Sequence, residues 1–400
     1  LNFINQTQRN SLNPLLLNIV SYRKSGLSLN HIVGCSLNCA YCVRHFFDNF
    51  EMKEPHMLCT DEEAVNQLVN HKFFISNITP IQIFNRATDP FLRNVKIHTH
   101  EILRMLDELG LKNTVLVITR AKVTKTDMEQ LEKLKNLNLS LLVTYSGIID
   151  QRIEPIAKSR ITEKSIVNIA TYKKKTKLIL YWRPIVAGWN DDNASFARVF
   201  NVAQYADSIV YTGYYHRPEN YAYLQKIGLE IQYNDEFARR KFLPKELENK
   251  ILAAYNESKL KVPLFRKTSC GVVFAQKLPD YNGHWGVNEI CNICPLEQQK
   301  ICWKHYKMPT KNEFQKLLDR YNYNSKFLIE GGHIWTENLG EERRYHLQHI
   351  LGYQIWDIEK PHFRNQHGRS PFGQLQNEEQ KSEYEKLKIK FNNEVINDDD

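Results

Sequence analysis

The sequence predicts an α/β protein: a partial (β/α)6 barrel of the TIM type over residues 27–215, a cysteine-containing accessory region over 216–304, and a small α/β unit over 305–400, with residues 1–26 as an N-terminal extension. Three observations predict it. Between Leu27 and Gly213, short apolar segments alternate with amphipathic ones at a period of about thirty residues, as parallel β-α units require. Beyond residue 305 a helix, strand, helix, strand order recurs on a smaller scale. The eight cysteines fall in two groups, Cys35, Cys39 and Cys42 (with Cys59 nearby), then Cys270, Cys291, Cys294 and Cys302, and a long cysteine-free stretch separates them.

Composition sets the frame for these elements. In 400 residues, 42% hydrophobic and 25% charged content are ordinary globular values, which excludes collagen, coiled coil and wholesale disorder. No apolar run approaches the ~20 residues of a membrane helix, and residues 1–30 lack an export signal, so a cytoplasmic protein with no membrane partner is expected. The net charge of +9 would assist an anionic partner such as nucleic acid.

The strands are expected around Asn30 to Val33, Ile81 to Phe84, Val115 to Thr119, Leu139 to Thr144, Leu178 to Trp182 and Ser208 to Tyr211. Thr60 with Glu63 and Thr126 with Glu129 have capping-box spacing, and Ile102, Leu106 and Leu109 mark one helical face that Gly110 ends. Six such units make an open barrel, with active residues at the C-terminal ends of the strands. Residues 216–265 look helical, with Pro244 opening a helix from Lys245 to Asn256, and would cover the open side. The C-terminal unit reads as Lys311 to Tyr321, Phe327 to Ile334, Glu341 to Ile350 and Tyr353 to Ile358. Arg343, Arg344, His346 and His349 sit on one helix, which reads as a polar outer face, with presentation to an anion as the alternative. His362, Phe363, Arg364, His367, Arg369 and Phe372 interleave cations with aromatics in a way that suits stacking on bases. The last twenty-five residues, charged and poor in apolar side chains, read as a flexible acidic tail.

The chemistry is concentrated in the cysteines. In a reducing compartment, clustered cysteines point to metal rather than to disulfides. Gly34-Cys35-Ser36-Leu37-Asn38-Cys39-Ala40-Tyr41-Cys42 is a C-x3-C-x2-C loop with an aromatic before the third cysteine. Three thiolates hold three irons of a [4Fe-4S] cluster and leave the fourth open, whereas structural zinc or a closed electron-transfer cluster takes four ligands. Cys270, Cys291, Cys294 and Cys302 form a C-x20-C-x2-C-x7-C set that would close a second site. Cys294-Pro295 and the irregular spacing favour a second [4Fe-4S] cluster, with zinc as the alternative.

The first loop resembles that of the radical S-adenosylmethionine (SAM) superfamily. Four further segments are similar to spore photoproduct lyases and their relatives: Ala87-Thr88-Asp89-Pro90, Ile118-Thr119-Arg120, Ile153-Glu154-Pro155 and Pro184 to Asp191. The resemblance covers about residues 28 to 213. It implies that SAM chelates the open iron on Cys35, Cys39 and Cys42, and that one electron from a reductant such as flavodoxin or ferredoxin cleaves it to a 5′-deoxyadenosyl radical that abstracts hydrogen from a substrate. Carried over by position, Thr88 and Asp89 would approach the SAM amino group and Arg120 its carboxylate. Thr144 or Ser146 would bond the ribose, Tyr41 would lie near the adenine, and Arg183 would pair the SAM carboxylate, a substrate anion or a barrel carboxylate. Two departures argue against a true photoproduct lyase: Arg86 stands where those enzymes carry a hydrogen-donating cysteine, and Val43 replaces their second aromatic. A macromolecular substrate is expected, nucleic acid before peptide or protein. A non-enzymatic iron-sulfur sensor or electron carrier is the contrasting class, which would have no need of Thr88, Asp89 and Arg120 as a SAM cradle.

Overall fold

The computed structural model describes residues 1–154, 159–231, 240–359 and 378–396. The chain divides into two compact units, Leu1–Gln276 and Lys277–Asp400. Residues 216–276 thus belong with the large sheet, and 277–304 with the C-terminal unit.

The first unit is built on a mostly parallel sheet. β1 (Val20–Arg23) and β2 (Gly26–Leu29) form an antiparallel hairpin at one edge. β2 then begins a parallel run through β5 (Ile81–Ile83), β6 (Thr114–Thr119), β7 (Asn138–Thr144), β8 (Lys177–Ile185) and β9 (Ser208–His216). β10 (Arg240–Phe242) and β11 (Leu264–Phe265) both pair with β9, the first antiparallel and the second parallel. Helices Asp61–Val69, Lys96–Glu108, Lys125–Leu131, Ser159–Tyr172 and Asn193–Ala203 separate the parallel strands in order. Near-continuous apolar runs such as Val115 to Val117 are fully buried, as expected of parallel strands covered on both faces. Adjacent side chains on β8 show the two covers. Trp182 packs edge-on against Phe196 and Phe200 of helix Asn193–Ala203, each with ring centroids 5.6 Å apart. Tyr181 points the other way, and its hydroxyl meets Thr268 Oγ1 at 3.1 Å. Helix Thr268–Gln276 covers that second face: Ser208 Oγ donates to the Gly271 carbonyl (2.8 Å) and Gln276 Nε2 to Ser140 Oγ (3.0 Å).

Two local expectations are corrected. The first parallel strand is Gly26–Leu29; Ile32–Val33 (β3) instead forms a two-stranded ribbon with β4 (His56–Met57), because Asn30 turns inward and donates to Ser28 Oγ. The second capping box is Thr124 with Asp127, each side chain accepting from the other's backbone N–H.

In the second unit, β12 (Phe327–Glu330) and β13 (His333–Thr336) are a hairpin turned at Gly331 and Gly332, where one strand was expected, and β14 (Ile355–Asp357) runs parallel to β13. Helix Glu341–Leu351 leaves Arg343 exposed, as expected, but buries Arg344, His346 and His349: Arg344 pairs with Asp357 at 2.7 Å, and His346 Nδ1 meets the Tyr323 hydroxyl at 3.1 Å. Residues 378–396, expected as a flexible tail, are helical. Tyr384, Leu387 and Phe391 recur at helical spacing, and Phe391 is buried against Leu328, Trp335, Trp356 and Ile358. Low apolar content hid a short stripe that suffices for docking. Residues 362–372, with their cations and aromatics, lie outside the described residues.

Phe391→Ala should destabilise the second unit by about 3–5 kcal/mol, lowering the urea midpoint reported by Trp335 and Trp356 fluorescence. A frayed tail would leave that midpoint unchanged.

Candidate metal centre at the C-terminal edge of the sheet

The loop Gly34 to Cys42 follows β3 and is tied by backbone hydrogen bonds to three other loop segments. Gly34 N–H donates to the Ala87 carbonyl (3.2 Å), Cys35 N–H to that of Met52 (3.0 Å) and Ala40 N–H to that of Ile153 (2.9 Å). Gly34 has φ +100°, and a Cβ there would lie 2.3 Å from the Glu54 carbonyl oxygen, so only glycine lets the chain pass. Beneath the loop lies Arg44, which is 1% exposed. Its guanidinium donates to the carbonyls of Leu37 (2.8 Å), Asn49 (3.4 Å), Phe50 (3.1 Å) and Met52 (3.1 Å), and so fixes both ends of the segment.

The three thiols are brought within electrostatic reach of one another. Burial pushes Cys35 up to about 12 against the pull of Arg44, and pushes Cys39 up to about 12 against that of Arg120, with Glu154 reinforcing the rise. Such thiols are protonated at neutral pH unless a metal takes the proton's place.

Beside Cys39 is a buried polar network. Glu154 pairs with Arg120 Nη1 at 3.0 Å and accepts from Ser146 Oγ at 2.9 Å. The Tyr41 hydroxyl donates to Glu154 and accepts from Arg120 Nη2. The structure therefore gathers three residues that the sequence singles out, Tyr41, Arg120 and Ser146, around a fourth that it names only as part of a motif. The signal for Glu154 was present: a carboxylate between Ile153 and Pro155 at a strand-end loop.

Asp89 is also buried, and burial pushes its carboxyl up. It accepts from Thr119 Oγ1 (2.6 Å), Phe91 N–H (2.9 Å) and Arg120 N–H (2.8 Å), which braces the loop after β5 to the end of β6. Neighbouring Thr88 has a buried Oγ1 with no hydrogen-bond partner among the described residues. Thr144 is buried at the end of β7. Arg183, on β8, stacks over the Tyr181 ring with its guanidinium carbon 4.2 Å from the centroid, and among the described residues it has no carboxylate at salt-bridge distance. Arg86 is buried and donates to the Asn18 carbonyl at 2.6 Å, a bracing role. Cys59 is half-buried, with its thiol pushed up to about 11 chiefly by burial.

Of the second cysteine group, Cys270 lies in the first unit, buried on helix Thr268–Gln276, while Cys291, Cys294 and Cys302 lie in the second. Cys294 N–H donates to the Cys291 carbonyl at 3.0 Å, and Gln299 Nε2 bonds the carbonyls of Cys291 (3.2 Å) and Cys294 (2.8 Å). Gln298 Nε2 donates to Cys302 Sγ at 3.2 Å. Burial pushes Cys291 up to about 11 and Cys294 up to about 12, and each feels the Asp280 carboxylate.

No family model and no curated protein matches the chain. Among solved structures, the chain is similar to spore photoproduct lyase complexed with dinucleoside spore photoproduct, at 13% identity over 62% of this chain and 78% of that one, with a TM-score of 0.47. It is also similar to Streptococcus suis SuiB bound to precursor peptide SuiA, at 13% identity over 61% of this chain and 49% of that one, with a TM-score of 0.39. SuiB bound to S-adenosylmethionine gives 12% identity over 64% and 53%, again with a TM-score of 0.39.

Glu154→Gln should leave the Arg120 charge buried without a counter-ion and cost about 3 kcal/mol or more in urea denaturation. Combining it with Arg120→Met should cost less than the sum of the single changes, since the two groups form one unit. Strict additivity would show that the pair is not coupled.

Proposed function

We propose that the chain is a radical SAM enzyme that acts on an anionic macromolecule, its sheet being a partial (β/α)6 barrel with the cluster loop at the strand ends. The observation that carries this is the Cys35, Cys39 and Cys42 loop itself: three thiols assembled by backbone bonds and by Arg44, next to polar groups on the ends of β5, β6 and β7. Three soft donors suit a [4Fe-4S] cluster with one iron open to SAM. When bound, the cluster and SAM supply a reductively generated 5′-deoxyadenosyl radical that abstracts hydrogen, with flavodoxin or ferredoxin as the one-electron donor.

The chain's own residues bind and orient. Thr88 offers the SAM amino group a buried hydroxyl that has no hydrogen-bond partner among the described residues, and a ligand there would offset its desolvation. Asp89 holds Thr119 and the Arg120 backbone so that the two strand ends keep their spacing. Arg120, kept in place by Glu154, presents a positive edge toward a carboxylate, and Tyr41 supplies a ring and a fixed hydroxyl. Ser146 and Thr144 are the hydroxyls near a ribose. Arg183, which has no carboxylate at salt-bridge distance among the described residues, is a cation that could meet a substrate phosphate, and with the net charge of +9 it favours nucleic acid over peptide.

Full-length protein reconstituted anaerobically with iron and sulfide, then given dithionite and SAM, should form 5′-deoxyadenosine. The Cys35→Ala, Cys39→Ala, Cys42→Ala triple variant should form none. No 5′-deoxyadenosine from protein of confirmed cluster content would point to an iron-sulfur carrier instead. Binding to single-stranded nucleic acid should weaken steeply with salt, and Arg183→Gln should lower it about tenfold, an effect of ~1.4 kcal/mol; indifference to both would favour a peptide.

A further inference from the structure

Helix Leu296–His305 of the second unit turns an unpartnered face to solvent. Its inner face is fixed: Gln298 and Cys302, one turn apart, are buried, and Gln298 Nε2 donates to the Leu278 carbonyl at 2.9 Å and to Cys302 Sγ at 3.2 Å. The end of the helix is held as well. Tyr306 N–H donates to the Cys302 carbonyl at 2.8 Å, and the Tyr306 ring stacks on that of Tyr353 with centroids 5.1 Å apart. A helix pinned in this way presents its outer side chains from fixed positions.

Leu296, Lys300, Trp303 and Lys307 follow one another at intervals of four, three and four residues, the spacing of one helix face, with Lys307 just beyond the last turn. All four are exposed, and so is Lys304. Trp303 is 67% exposed, whereas the chain's five other tryptophans are buried or half-buried. Among the described residues no ring stacks on Trp303, and neither Lys300 nor Lys304 has a carboxylate at salt-bridge distance. Lys307 pairs with Glu313 at 3.0 Å but keeps 79% of its side chain in solvent. Glu297, the one acid of the helix, lies in its first turn. Lys300 and Lys304 stand four residues apart, where like charges repel, and an indole left in water forgoes the gain of burial. Neither feature serves the folded unit alone. An anionic partner that carries flat rings answers both, because its charges meet the amines and its rings cover the indole. Protein–protein interfaces, in contrast, are depleted of lysine.

We infer that Trp303, Lys300, Lys304 and Lys307 form a docking surface for single-stranded nucleic acid, the indole stacking on a base and the ammonium groups meeting the phosphates beside it. The surface lies wholly within the second unit and needs neither the cysteine loop nor SAM. It goes beyond the reading above and shares with it only the class of macromolecule.

The test titrates full-length protein, without SAM or reductant, into fluorescein-labelled oligothymidylate and follows anisotropy over a range of salt concentrations. Trp303→Ala should weaken binding about five- to a hundredfold at every salt concentration, the loss of one stacked base, and Trp303→Phe should recover part of it. The Lys300→Gln, Lys304→Gln double variant should instead flatten the slope of log affinity against log salt by about 1.4, at ~0.7 per phosphate released. The two responses differ in kind, so a folding defect does not produce both, and the urea midpoints should stay at the wild-type value because these side chains are exposed. Wild-type affinity in Trp303→Ala, or no binding by the wild type at low salt, overturns the surface. Poly-L-glutamate bound as tightly as oligothymidylate, with the same loss in Trp303→Ala, overturns it in favour of an acidic protein. 5′-Deoxyadenosine formation, assayed in parallel, should be unchanged in Trp303→Ala. Its absence from the wild type beside Trp303-dependent binding sinks the radical reading alone, and its presence beside Trp303-independent binding sinks this surface alone.

Discussion

The cysteine loop depends on a buried positive charge. Arg44 is enclosed beneath it, where an ion carries a desolvation penalty of several kcal/mol. Four backbone carbonyls stand in for the lost water, and each charge-assisted bond returns about 1.5–3 kcal/mol, so the sum offsets the burial only if all four are made together. This makes the arrangement all-or-none. Leu37, within the loop, and Asn49, Phe50 and Met52, beyond it, are fixed by one planar group, and a lysine could not span them. The same charge pulls on the Cys35 thiol, so one side chain both shapes the loop and favours the thiolate that a metal requires.

A second buried cation sits across the loop with a different partner. Arg120 is neutralised by Glu154, and Tyr41 and Ser146 complete the carboxylate's bonds. Because Tyr41 is one residue from Cys42 and Arg120 directly follows β6, this ion pair links the loop to the sheet. A pair of this kind adds little net stability over apolar packing, but it penalises any misplacement of either partner. Its contribution is therefore register: the aromatic ring, the guanidinium and the hydroxyl keep one spacing relative to the thiols.

The legibility of these features follows from the range of the interactions that make them. Alternating apolar and amphipathic segments are local, and five of the six expected parallel strands lie where the pattern places them. The first is displaced to Gly26–Leu29 because Asn30 bonds back to Ser28, a side-chain preference that no apolar pattern carries. Thr124, not Thr126, caps its helix, since both are followed by acids at the right spacing and only the backbone geometry distinguishes them. The tail helix escaped notice because three apolar residues among charges look like solvated chain until the groove around Trp335 and Trp356 exists to receive them. The grouping of the cysteines was plain in the sequence because spacing is a local pattern. Arg44 was not, and Glu154 showed only as part of a segment, because a charged residue in sequence gives no sign of burial; only tertiary contacts reveal it.

Burial of the thiols sets what the unloaded loop can be. With Cys35 and Cys39 held up to about 12, the folded protein without metal carries neutral sulfhydryls, and its two guanidiniums are left to be balanced by carbonyls and by Glu154. A metal bound there, as proposed, would displace those protons and place negative sulfur beside Arg44 and Arg120, and the charges that were costly to bury would become complementary. On that proposal only the proton-for-metal exchange would remain, since the donors, the cations and the glycine passage are already in place in the folded chain. A protein using three cysteines merely as apolar filler would have no reason to enclose two arginines around them, since methyl-sized side chains would fill the same volume without any desolvation to offset.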